Sequence, residues 1–314
     1  MNRPDLEAIR SAAERIAPTV HRTPIFTCQT LNRMSGAQLF FKCENLQKIG
    51  AFKIRGATNA VLQLSDQQAH SGVATHSSGN HAAALALAAR NRGIPAYVVM
   101  PENAPAVKRA AVAGYGAEII SCASTLEARE TTLAKVLECT GAYFVHPYND
   151  LAVIAGQGTA ALELLAEQTE LNSVLAPVGG GGLLSGTALA AKGLQPDIQV
   201  IGAEPLLADD AYRSVQAGRI IPPETSNTIA DGLRTALGDL TFPIICDQVD
   251  SIITVTETQI IQAMRLLWER MKLVVEPSGA VPLAAVLGEP KRFQGQRIGL
   301  ILSGGNVDLA QLPW

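Results

Sequence analysis

Short apolar segments alternate with longer segments of helical periodicity along most of the chain. Residues 96–100 (AYVVM) are apolar throughout, as expected of a strand buried on both faces, and similar segments each precede ten or more residues with a helical pattern. This alternation predicts parallel sheets covered by helices, that is, an α/β fold. A chain of 314 residues exceeds the usual size of one core. Residues 72–149 contain several complete strand–helix units, so we expect them to form a smaller domain inserted between residues 1–71 and 150–314.

The composition excludes several classes of protein. With 47% hydrophobic residues the chain can bury a core, and its net charge of −3 lacks the basic excess typical of proteins that bind nucleic acid. No apolar run approaches the ~20 residues that a membrane-spanning helix needs, and the charged N-terminal segment is unlike a signal peptide. The cysteines are scattered, odd in number and without a CxxC pair, so we expect reduced thiols in a cytoplasmic protein. These cysteines are Cys28, Cys43, Cys122, Cys139 and Cys246.

Four consecutive glycines follow one of the predicted strands. Residues 173–178 (SVLAPV) form the strand, and a helical segment begins directly after the glycines. In parallel α/β sheets ligands bind beyond the carboxyl ends of the strands, and glycine amides at the start of a helix suit a phosphate. The segment is neither a Walker A loop nor a GxGxxG fingerprint, and a tightly packed turn is the alternative interpretation. This glycine loop consists of Gly179, Gly180, Gly181 and Gly182.

A lysine in apolar surroundings stands at the start of an early helical segment. Lys53 lies between Phe52 and Ile54 in the segment FKIRGA. An amine that is removed from water loses its charge more easily and becomes the nucleophile that a Schiff base requires. The alternative is an ordinary solvent-exposed lysine on a helix.

Two further loops carry polar groups that could meet a ligand. One follows the strand predicted at 73–75 and supplies hydroxyls, an amide and free N–H groups that suit a carboxylate, although an ordinary helix N-cap is the alternative. The other follows the strand predicted at 297–302, and its first hydroxyl could meet a ring nitrogen. A phosphate cradle, an amine nucleophile, a carboxylate clamp and a ring-facing hydroxyl together indicate pyridoxal phosphate with an amino-acid substrate. We name the first of these two loops the serine loop (Ser77, Ser78, Gly79, Asn80 and His81) and the second the C-terminal loop (Ser303, Gly304, Gly305 and Asn306).

These motifs resemble those of a known family and occur in the same order. The segments FKIRGA, SSGNH, PVGGGGLLSG and SGGN resemble the fold-type-II (tryptophan synthase β-like) pyridoxal-phosphate enzymes, within the group of serine racemases, serine/threonine dehydratases and hydroxyaspartate dehydratases. The resemblance implies two open, twisted parallel-sheet lobes covered by helices. Residues 1–71 and 150–314 would form a large cofactor-binding domain and residues 72–149 a small substrate-clamping domain. It also implies a homodimer that acts on a small amino acid.

The resemblance implies roles for individual residues. Lys53 would form the Schiff base with the cofactor and act as the base at the substrate α-carbon, while the glycine loop would hold the phosphate. Asn80 would bond the ring hydroxyl, and Ser303 would face the pyridine nitrogen. Ser78 would lie opposite Lys53 and provide the second acid–base group that racemisation requires. The substrate carboxylate would be held by Ser77, Ser78, Asn80 and His81.

Further implied positions concern a metal ion and the substrate side chain. Glu204, the Ala208 carbonyl and Asp210 would bind Mg²⁺ (or Ca²⁺ or Mn²⁺), which are hard cations that prefer oxygen ligands. The alternative there is a solvated acidic helix start. Arg129 lies where related enzymes place an active-site arginine and would bind a β-carboxylate, unless it forms an ordinary ion pair on its helix. Thr235 would add a hydroxyl to the same region.

The sequence therefore predicts a dehydratase (ammonia-lyase) that converts L-serine, L-threonine or 3-hydroxyaspartate to a 2-oxo acid and ammonia. Serine racemase activity through Lys53 and Ser78 is expected alongside it. A cysteine-synthase-like β-replacement enzyme and a non-catalytic protein that binds pyridoxal phosphate or amino acids remain the alternatives. Ala82 and Ala83 stand where the racemase motif usually has Gly-Gln, which argues against activation by nucleotides.

Overall fold

The computed structural model describes residues 3–104, 106–224 and 227–314 and contains two sheets. The strands are β1 (Ile25–Phe26), β2 (Gln38–Cys43), β3 (Val73–His76), β4 (Ala96–Pro101), β5 (Glu118–Cys122), β6 (Tyr143–Phe144), β7 (Ser173–Pro177), β8 (Gln199–Pro205), β9 (Ser251–Val255) and β10 (Arg297–Leu302). The first sheet has the order β1-β2-β10-β7-β8-β9, and the second has the order β5-β4-β3-β6. Among the described residues every pairing is parallel except that of β1 with β2. The predicted α/β fold class is thereby confirmed.

Helices separate most of the strands. They are α1 (Leu6–Ile16), α2 (Gln29–Ser35), α3 (Lys53–Gln63), α4 (Asp66–Ala69), α5 (Asn80–Arg92), α6 (Ala106–Gly114), α7 (Leu126–Thr140), α8 (Leu151–Glu167), α9 (Gly182–Leu194), α10 (Asp210–Ala217), α11 (Thr241–Gln248), α12 (Glu257–Leu266), α13 (Pro277–Gly288) and α14 (Pro290–Phe293). A π-helical turn, Leu267–Met271, follows α12. None of the described helices has the length and apolar character that crossing a membrane requires.

The first sheet is buried on both faces. Along β7, Leu175 belongs to one hydrophobic core, whereas Val174 and Ala176 belong to the other. Because successive side chains of a strand point to opposite faces, the two cores lie on opposite sides of the sheet. We call this sheet with its helices the large lobe and the second sheet with its helices the small lobe. All strands of the second sheet fall within residues 72–149, and we propose this range as the small domain.

Glycines allow α3, α8 and α9 to pack closely. A Cβ atom at Gly156 of α8 would lie 2.6 Å from the Cα of Gly56 in α3. A Cβ atom at Gly186 of α9 would lie 2.4 Å from the carbonyl oxygen of Ile154 in α8. Larger residues would therefore force these helices apart. Since α3 begins at Lys53 and α9 begins in the glycine loop, their packing on α8 sets the separation between the two predicted ligand-binding groups.

A buried ion cluster anchors the start of α3 to the large lobe. Arg55 is fully buried and donates to both carboxylate oxygens of Glu44, at 2.7 and 2.9 Å, and to both of Glu163, at 2.7 and 2.8 Å. Lys42 Nζ adds a bond of 2.6 Å to Glu163. Burial opposes ionisation, but the hydrogen bonds and charges of the two cations outweigh it and hold the pKa of Glu163 below its usual value. We name Lys42, Glu44, Arg55 and Glu163 the ion cluster.

Candidate active site

The predicted ligand-binding loops lie at the carboxyl ends of parallel strands. The serine loop follows β3, the glycine loop follows β7 and the C-terminal loop follows β10. The segment before Lys53 is joined to the C-terminal loop, because the Phe52 N–H donates to the Ser303 carbonyl oxygen at 3.0 Å and Ala51 forms a β-bridge with Gly304. The structure therefore places Lys53 and Ser303 on segments that are joined to each other.

Lys53 holds its amine away from water. Part of the side chain remains exposed, but Nζ donates a hydrogen bond of 2.8 Å to the carbonyl oxygen of Pro147 and lies 5.1 Å from the centre of the Phe52 ring. Burial lowers the pKa of Lys53 to about 8, although the charge of Glu276 acts in the opposite direction. A substantial fraction of the amine is therefore neutral and nucleophilic slightly above neutral pH.

The glycine loop presents unused backbone N–H groups. Within the described residues, none of its four N–H groups donates a hydrogen bond to the protein. Gly181 has a φ of +90°, which favours glycine, and directly precedes α9. A Cβ atom at Gly180 would lie 2.4 Å from the ring of Tyr148, and one at Gly179 would lie 2.9 Å from the Cα of Leu233. Close packing thus requires glycines here, and free amides at a helix start attract an anion.

The serine loop offers hydroxyls and the first turn of α5. Ser77 and Ser78 lie half-buried in the turn, and Asn80 and His81 begin the helix. The His81 ring is buried with Nε2 3.1 Å from the Val145 carbonyl oxygen, and burial holds the pKa of His81 well below its usual value. The neutral ring therefore carries its proton on Nε2, so Nδ1 has no proton to donate. His81 can bind a carboxylate only through its backbone N–H.

Asn80 is held by two side chains of the large lobe. Its Nδ2 donates to Glu276 Oε1 at 2.9 Å, and its Oδ1 accepts from Asn306 Nδ2 at 2.9 Å. Asn306 Nδ2 also donates to the carbonyl oxygen of Ile49 at 2.7 Å. Ile49 has a φ of +60°, which is unfavourable for a β-branched residue. The side-chain amide of Asn306 therefore links the loop before Lys53 to the start of α5.

An ion pair also joins the two lobes near the serine loop. Lys108 of α6 bonds Asp231, which begins the short 3₁₀-helix Asp231–Leu233 of the large lobe. A Cβ atom at Gly79 would lie 3.8 Å from Lys108 Nζ. The pair therefore stands at the edge of the predicted carboxylate site and favours the arrangement in which the lobes are close together.

A group of aromatic rings follows β6 beside the site. The His146 ring lies edge-on to Tyr148, with centres 4.6 Å apart, and 6.3 Å from His76. Its Nδ1 accepts from the backbone N–H groups of Tyr148 and Asn149 at 3.3 and 2.9 Å, and burial lowers the pKa of His146 to about 4. The ring is therefore neutral, with its proton on Nε2. Sequence analysis did not identify these residues, although the segment HPYND follows a strand and could have indicated them.

Arg129 and Thr235 border the same rings. Arg129 is half-buried in α7, where its Nε lies 3.4 Å from the Thr125 carbonyl oxygen. Burial lowers the pKa of His76, and the nearby charge of Arg129 lowers it further. Thr235 forms a hydrogen bond with the phenol of Tyr148. Both residues predicted to meet the substrate side chain therefore lie beside one cluster.

The residues predicted to bind a metal lie at the end of β8 and directly after it. Glu204 is near the end of the strand and accepts from the N–H groups of Ala211 and Tyr212 at 2.8 and 2.9 Å. Both carboxylate oxygens of Asp210 are buried and have no partner within the described residues. Burial raises the pKa of Glu204 to about 9 and that of Asp210 to about 7. The described residues contain no group of three or more histidine, cysteine, aspartate or glutamate side chains placed to hold a metal, so the set consists of two carboxylates and the buried Ala208 segment.

Similarity to known proteins shows the family of this chain. A family model described as pyridoxal-phosphate dependent enzyme covers residues 16–304. The chain belongs to this family. It is 54% identical over 311 residues to the β-hydroxyaspartate dehydratase of Paracoccus denitrificans, with 99% of each chain covered. It is 53% identical over 313 residues to a serine racemase of Arabidopsis thaliana, with 98% and 95% covered. The structure of maize serine racemase has a TM-score of 0.96 and 50% identity, covering 98% of this chain and 95% of that one.

The residues present fit the cofactor of the pyridoxal-phosphate-dependent family. The glycine loop has free amides for a phosphate, and Lys53 supplies a buried amine at the start of α3, which packs on α8 as α9 does. The fold-type-II architecture with two parallel-sheet lobes is confirmed as well. Two residues of the site, Glu276 and Asn306, have no role in the sequence prediction. Asn306 belonged to a recognised motif and could have been found, whereas Glu276 carries no local signal beyond its position before Pro277 at a helix start.

Proposed function

We propose that this protein is a lyase that uses pyridoxal phosphate to convert a β-hydroxy amino acid to a 2-oxo acid and ammonia, and that it also racemises serine. The observation that carries the proposal is the buried amine of Lys53, which bonds the Pro147 carbonyl oxygen. The next residue, Tyr148, packs its ring against Gly180 of the glycine loop, whose N–H groups are free. Relatives of the chain are named β-hydroxyaspartate dehydratase, serine racemase and L-threo-3-hydroxyaspartate ammonia-lyase, which supports the same class of substrate.

Three loops would hold the cofactor. The glycine loop binds its phosphate through backbone N–H groups. Asn80 donates an N–H to the ring oxygen, and Ser303 offers a neutral hydroxyl to the ring nitrogen in place of a carboxylate that would keep a proton there. When bound, pyridoxal phosphate withdraws electrons from the substrate α-carbon and so acidifies its proton.

Lys53 and Ser78 divide the proton transfers. Lys53 Nζ removes the α-proton on one face, and Ser78 Oγ exchanges a proton on the other. Dehydration needs only one α-base: the α C–H and β C–O bonds break, the hydroxyl leaves as water, and water then replaces the amine to give the 2-oxo acid and ammonia. Racemisation needs both groups because the proton leaves one face and returns to the opposite one.

Arg129 is the candidate for recognition of an acidic substrate side chain. It lies beside His76 and the ring cluster, and a relative is named β-hydroxyaspartate dehydratase. We expect Arg129→Ala to lower kcat/KM for 3-hydroxyaspartate about tenfold more than for serine, which corresponds to one charged hydrogen bond. Arg90→Ala, at the far end of α5, is the matched control. Equal losses on both substrates would refute this role.

We also propose that Glu204, Asp210 and the Ala208 carbonyl bind Mg²⁺. The support is the pair of buried Asp210 oxygens without a protein partner, since oxygen-rich sites of this kind suit hard cations. Mg²⁺ should raise the thermal midpoint of the wild type and leave that of Asp210→Asn unchanged. Asp250→Asn, which alters a carboxylate at the other end of the sheet, should respond like the wild type. If Mg²⁺ changes the thermal midpoint of neither the wild type nor the two variants, the proposed site is wrong.

Two further proposals concern assembly and location. The resemblance to the family supports a homodimer, and the scattered unpaired cysteines support a cytoplasmic location. Sedimentation equilibrium of the cofactor-loaded protein tests the dimer directly, and a monomeric mass at micromolar concentration would exclude it.

One incubation tests the reaction itself. Purified protein loaded with pyridoxal phosphate is mixed with L-serine, D-serine, L-threonine and the isomers of 3-hydroxyaspartate, with and without Mg²⁺, and 2-oxo acids and enantiomers are quantified. We expect 2-oxo acid from at least one of these substrates and none with Lys53→Ala. A β-replacement enzyme would produce no 2-oxo acid from serine alone, and a binding protein would leave every substrate unchanged.

A further inference from the structure

One buried carboxyl near the site has no part in the steps above. Glu276 is 4% exposed, precedes α13 and bonds the Gly304 carbonyl oxygen through its backbone N–H at 3.0 Å. A Cβ atom at Gly304 would lie 2.6 Å from Glu276 Oε1, so the C-terminal loop packs directly on the carboxyl group. Since a buried carboxyl is costly without specific partners, its partners indicate what it does.

Two groups donate hydrogen bonds to the Glu276 carboxyl: the side-chain amide of Asn80 and the backbone N–H of Asn306. Oε1 accepts from Asn80 Nδ2 at 2.9 Å, and the carboxylate also accepts from the backbone N–H of Asn306. Asn306 Nδ2 in turn donates to Asn80 Oδ1 at 2.9 Å. The three residues therefore form a closed set of hydrogen bonds that joins the serine loop, the start of α13 and the C-terminal loop.

This set permits one orientation of the Asn80 amide. An asparagine amide has two N–H donors and one carbonyl acceptor. In Asn80 the carbonyl accepts from Asn306 and one N–H donates to Glu276. The second N–H of the Asn80 amide therefore remains available for another partner. Rotation of the Asn80 amide by 180° would place its carbonyl against the Glu276 carboxyl and its NH₂ group against the NH₂ group of Asn306. Both contacts would then be repulsive.

We propose that Glu276 and Asn306 are positioning residues that clamp Asn80 so that its remaining N–H points to the ring oxygen of the cofactor. The inference rests on the proposed function, which places that oxygen beside Asn80. A rotated amide would present a carbonyl oxygen to the ring oxygen and would lose the bond. The clamp thus contributes to cofactor affinity without touching the cofactor itself.

The clamp does not depend on the charge of Glu276. Burial raises the pKa of Glu276 to about 8, and the charge of Asp231 raises it further, while Lys108 and the amide donors lower it. The charge of Lys53 also interacts with it. When a proton binds Oε2, Oε1 remains a carbonyl-type acceptor for Asn80, so the same orientation persists on both sides of that pKa.

A double-mutant cycle on the affinity of the apoenzyme for pyridoxal phosphate tests the clamp. We expect Asn80→Ala to weaken binding about tenfold, the equivalent of one hydrogen bond to a charged group, and Glu276→Ala to weaken it severalfold. The double variant should bind within about twofold of Asn80→Ala, because Glu276 acts through Asn80. Losses that multiply would overturn the proposal, since they would show that Glu276 acts independently.

Three further measurements separate positioning from folding. Glu276→Gln keeps a carbonyl acceptor for Asn80 and should bind within about threefold of the wild type. Asn306→Ala provides a second cycle with Asn80→Ala if Glu276→Ala fails to fold by circular dichroism. With 3-deoxypyridoxal phosphate, which lacks the ring oxygen, the wild type and the clamp variants should bind equally. A clamp effect that persists with this analogue would refute the proposed target. Asp250→Asn is the control carboxylate.

Failure of this inference is distinguishable from failure of the proposed function. If the wild type binds no pyridoxal phosphate and forms no 2-oxo acid, the proposed function is wrong and the clamp falls with it. If the wild type binds the cofactor and forms the product, but the cycle shows independent losses, only the clamp is wrong.

Discussion

Replacement of Arg55 by methionine tests what the ion cluster contributes to stability. Methionine fills similar space but leaves two carboxylates, Glu44 and Glu163, with one cation, Lys42. Glu44 is fully buried and loses its only cationic partner at hydrogen-bond distance among the described residues. Removal of one partner from a buried ion pair costs about 3–5 kcal/mol. Arg55 donates four hydrogen bonds to these carboxylates, so we expect the upper end, about 5 kcal/mol.

Urea unfolding of the cofactor-loaded protein, followed by far-UV circular dichroism at fixed protein concentration, measures this free energy. The double variant Arg55→Met/Glu44→Gln removes the stranded charge and should recover about 2 kcal/mol. Arg22→Met removes an exposed ion pair with Glu167 and should change the free energy of unfolding by less than about 1 kcal/mol.

This prediction is wrong if the free energy of unfolding of Arg55→Met lies within about 1 kcal/mol of that of the wild type, because the cost of desolvating the cluster would then equal its gain. It is also refuted if the double variant is less stable than Arg55→Met. In that case the stranded carboxylate at Glu44 would not be the cause of the loss.

Three further predictions concern the site. Because burial lowers the pKa of Lys53 to about 8, covalent uptake of the cofactor by the apoenzyme should rise about tenfold per pH unit below pH 8 and level off above it; a rate independent of pH, measured by absorbance, would contradict this. Gly180→Ala should weaken cofactor binding by at least about tenfold, since its Cβ atom would lie 2.4 Å from a tyrosine ring. Gly114→Ala, whose Cβ atom would meet nothing within 4 Å, should bind like the wild type, and equal affinities for the two variants would count against a packed cradle. Lys108→Gln should raise KM about two- to fivefold at low salt and less at high salt, because its ion pair with Asp231 is partly exposed. An unchanged KM at low salt would show that the pair does not support closure.

The helices and strands were predictable where local pattern decides them. The apolar segment 96–100 predicts β4, and the Ala/Leu-rich segment 79–91 predicts α5, each to within one residue at either end. In contrast, the sequence pattern of residues 158–168 predicts a helix that in the structure begins seven residues earlier, at Leu151. Its glycines weaken the helical signal in the sequence, whereas in the structure they allow contact with α3 and α9.

Some elements depend on distant partners and were missed. The first N–H groups of helix α10, those of Ala211 and Tyr212, donate to Glu204. Because Glu204 belongs to strand β8, this cap is supplied by a different element. Helices α2 and α11 are also short, and short helices form through tertiary packing more than through their own propensity. The sequence pattern of residues 258–271 predicts one continuous helix, whereas the structure ends α12 at Leu266 and continues with a π-helical turn.

The amino-acid order alone determined the α/β class and the loops that bear the chemistry, because strand–helix alternation and glycine or serine runs after strands are short-range patterns. Only the folded chain decided which groups complete the site. Asn80 meets Glu276 across 196 positions and Asn306 across 226, and such contacts leave no periodic signal. The lowered pKa of Lys53 also depends on the folded chain. Segments that are distant in the sequence bury the amine, and this burial lowers its pKa.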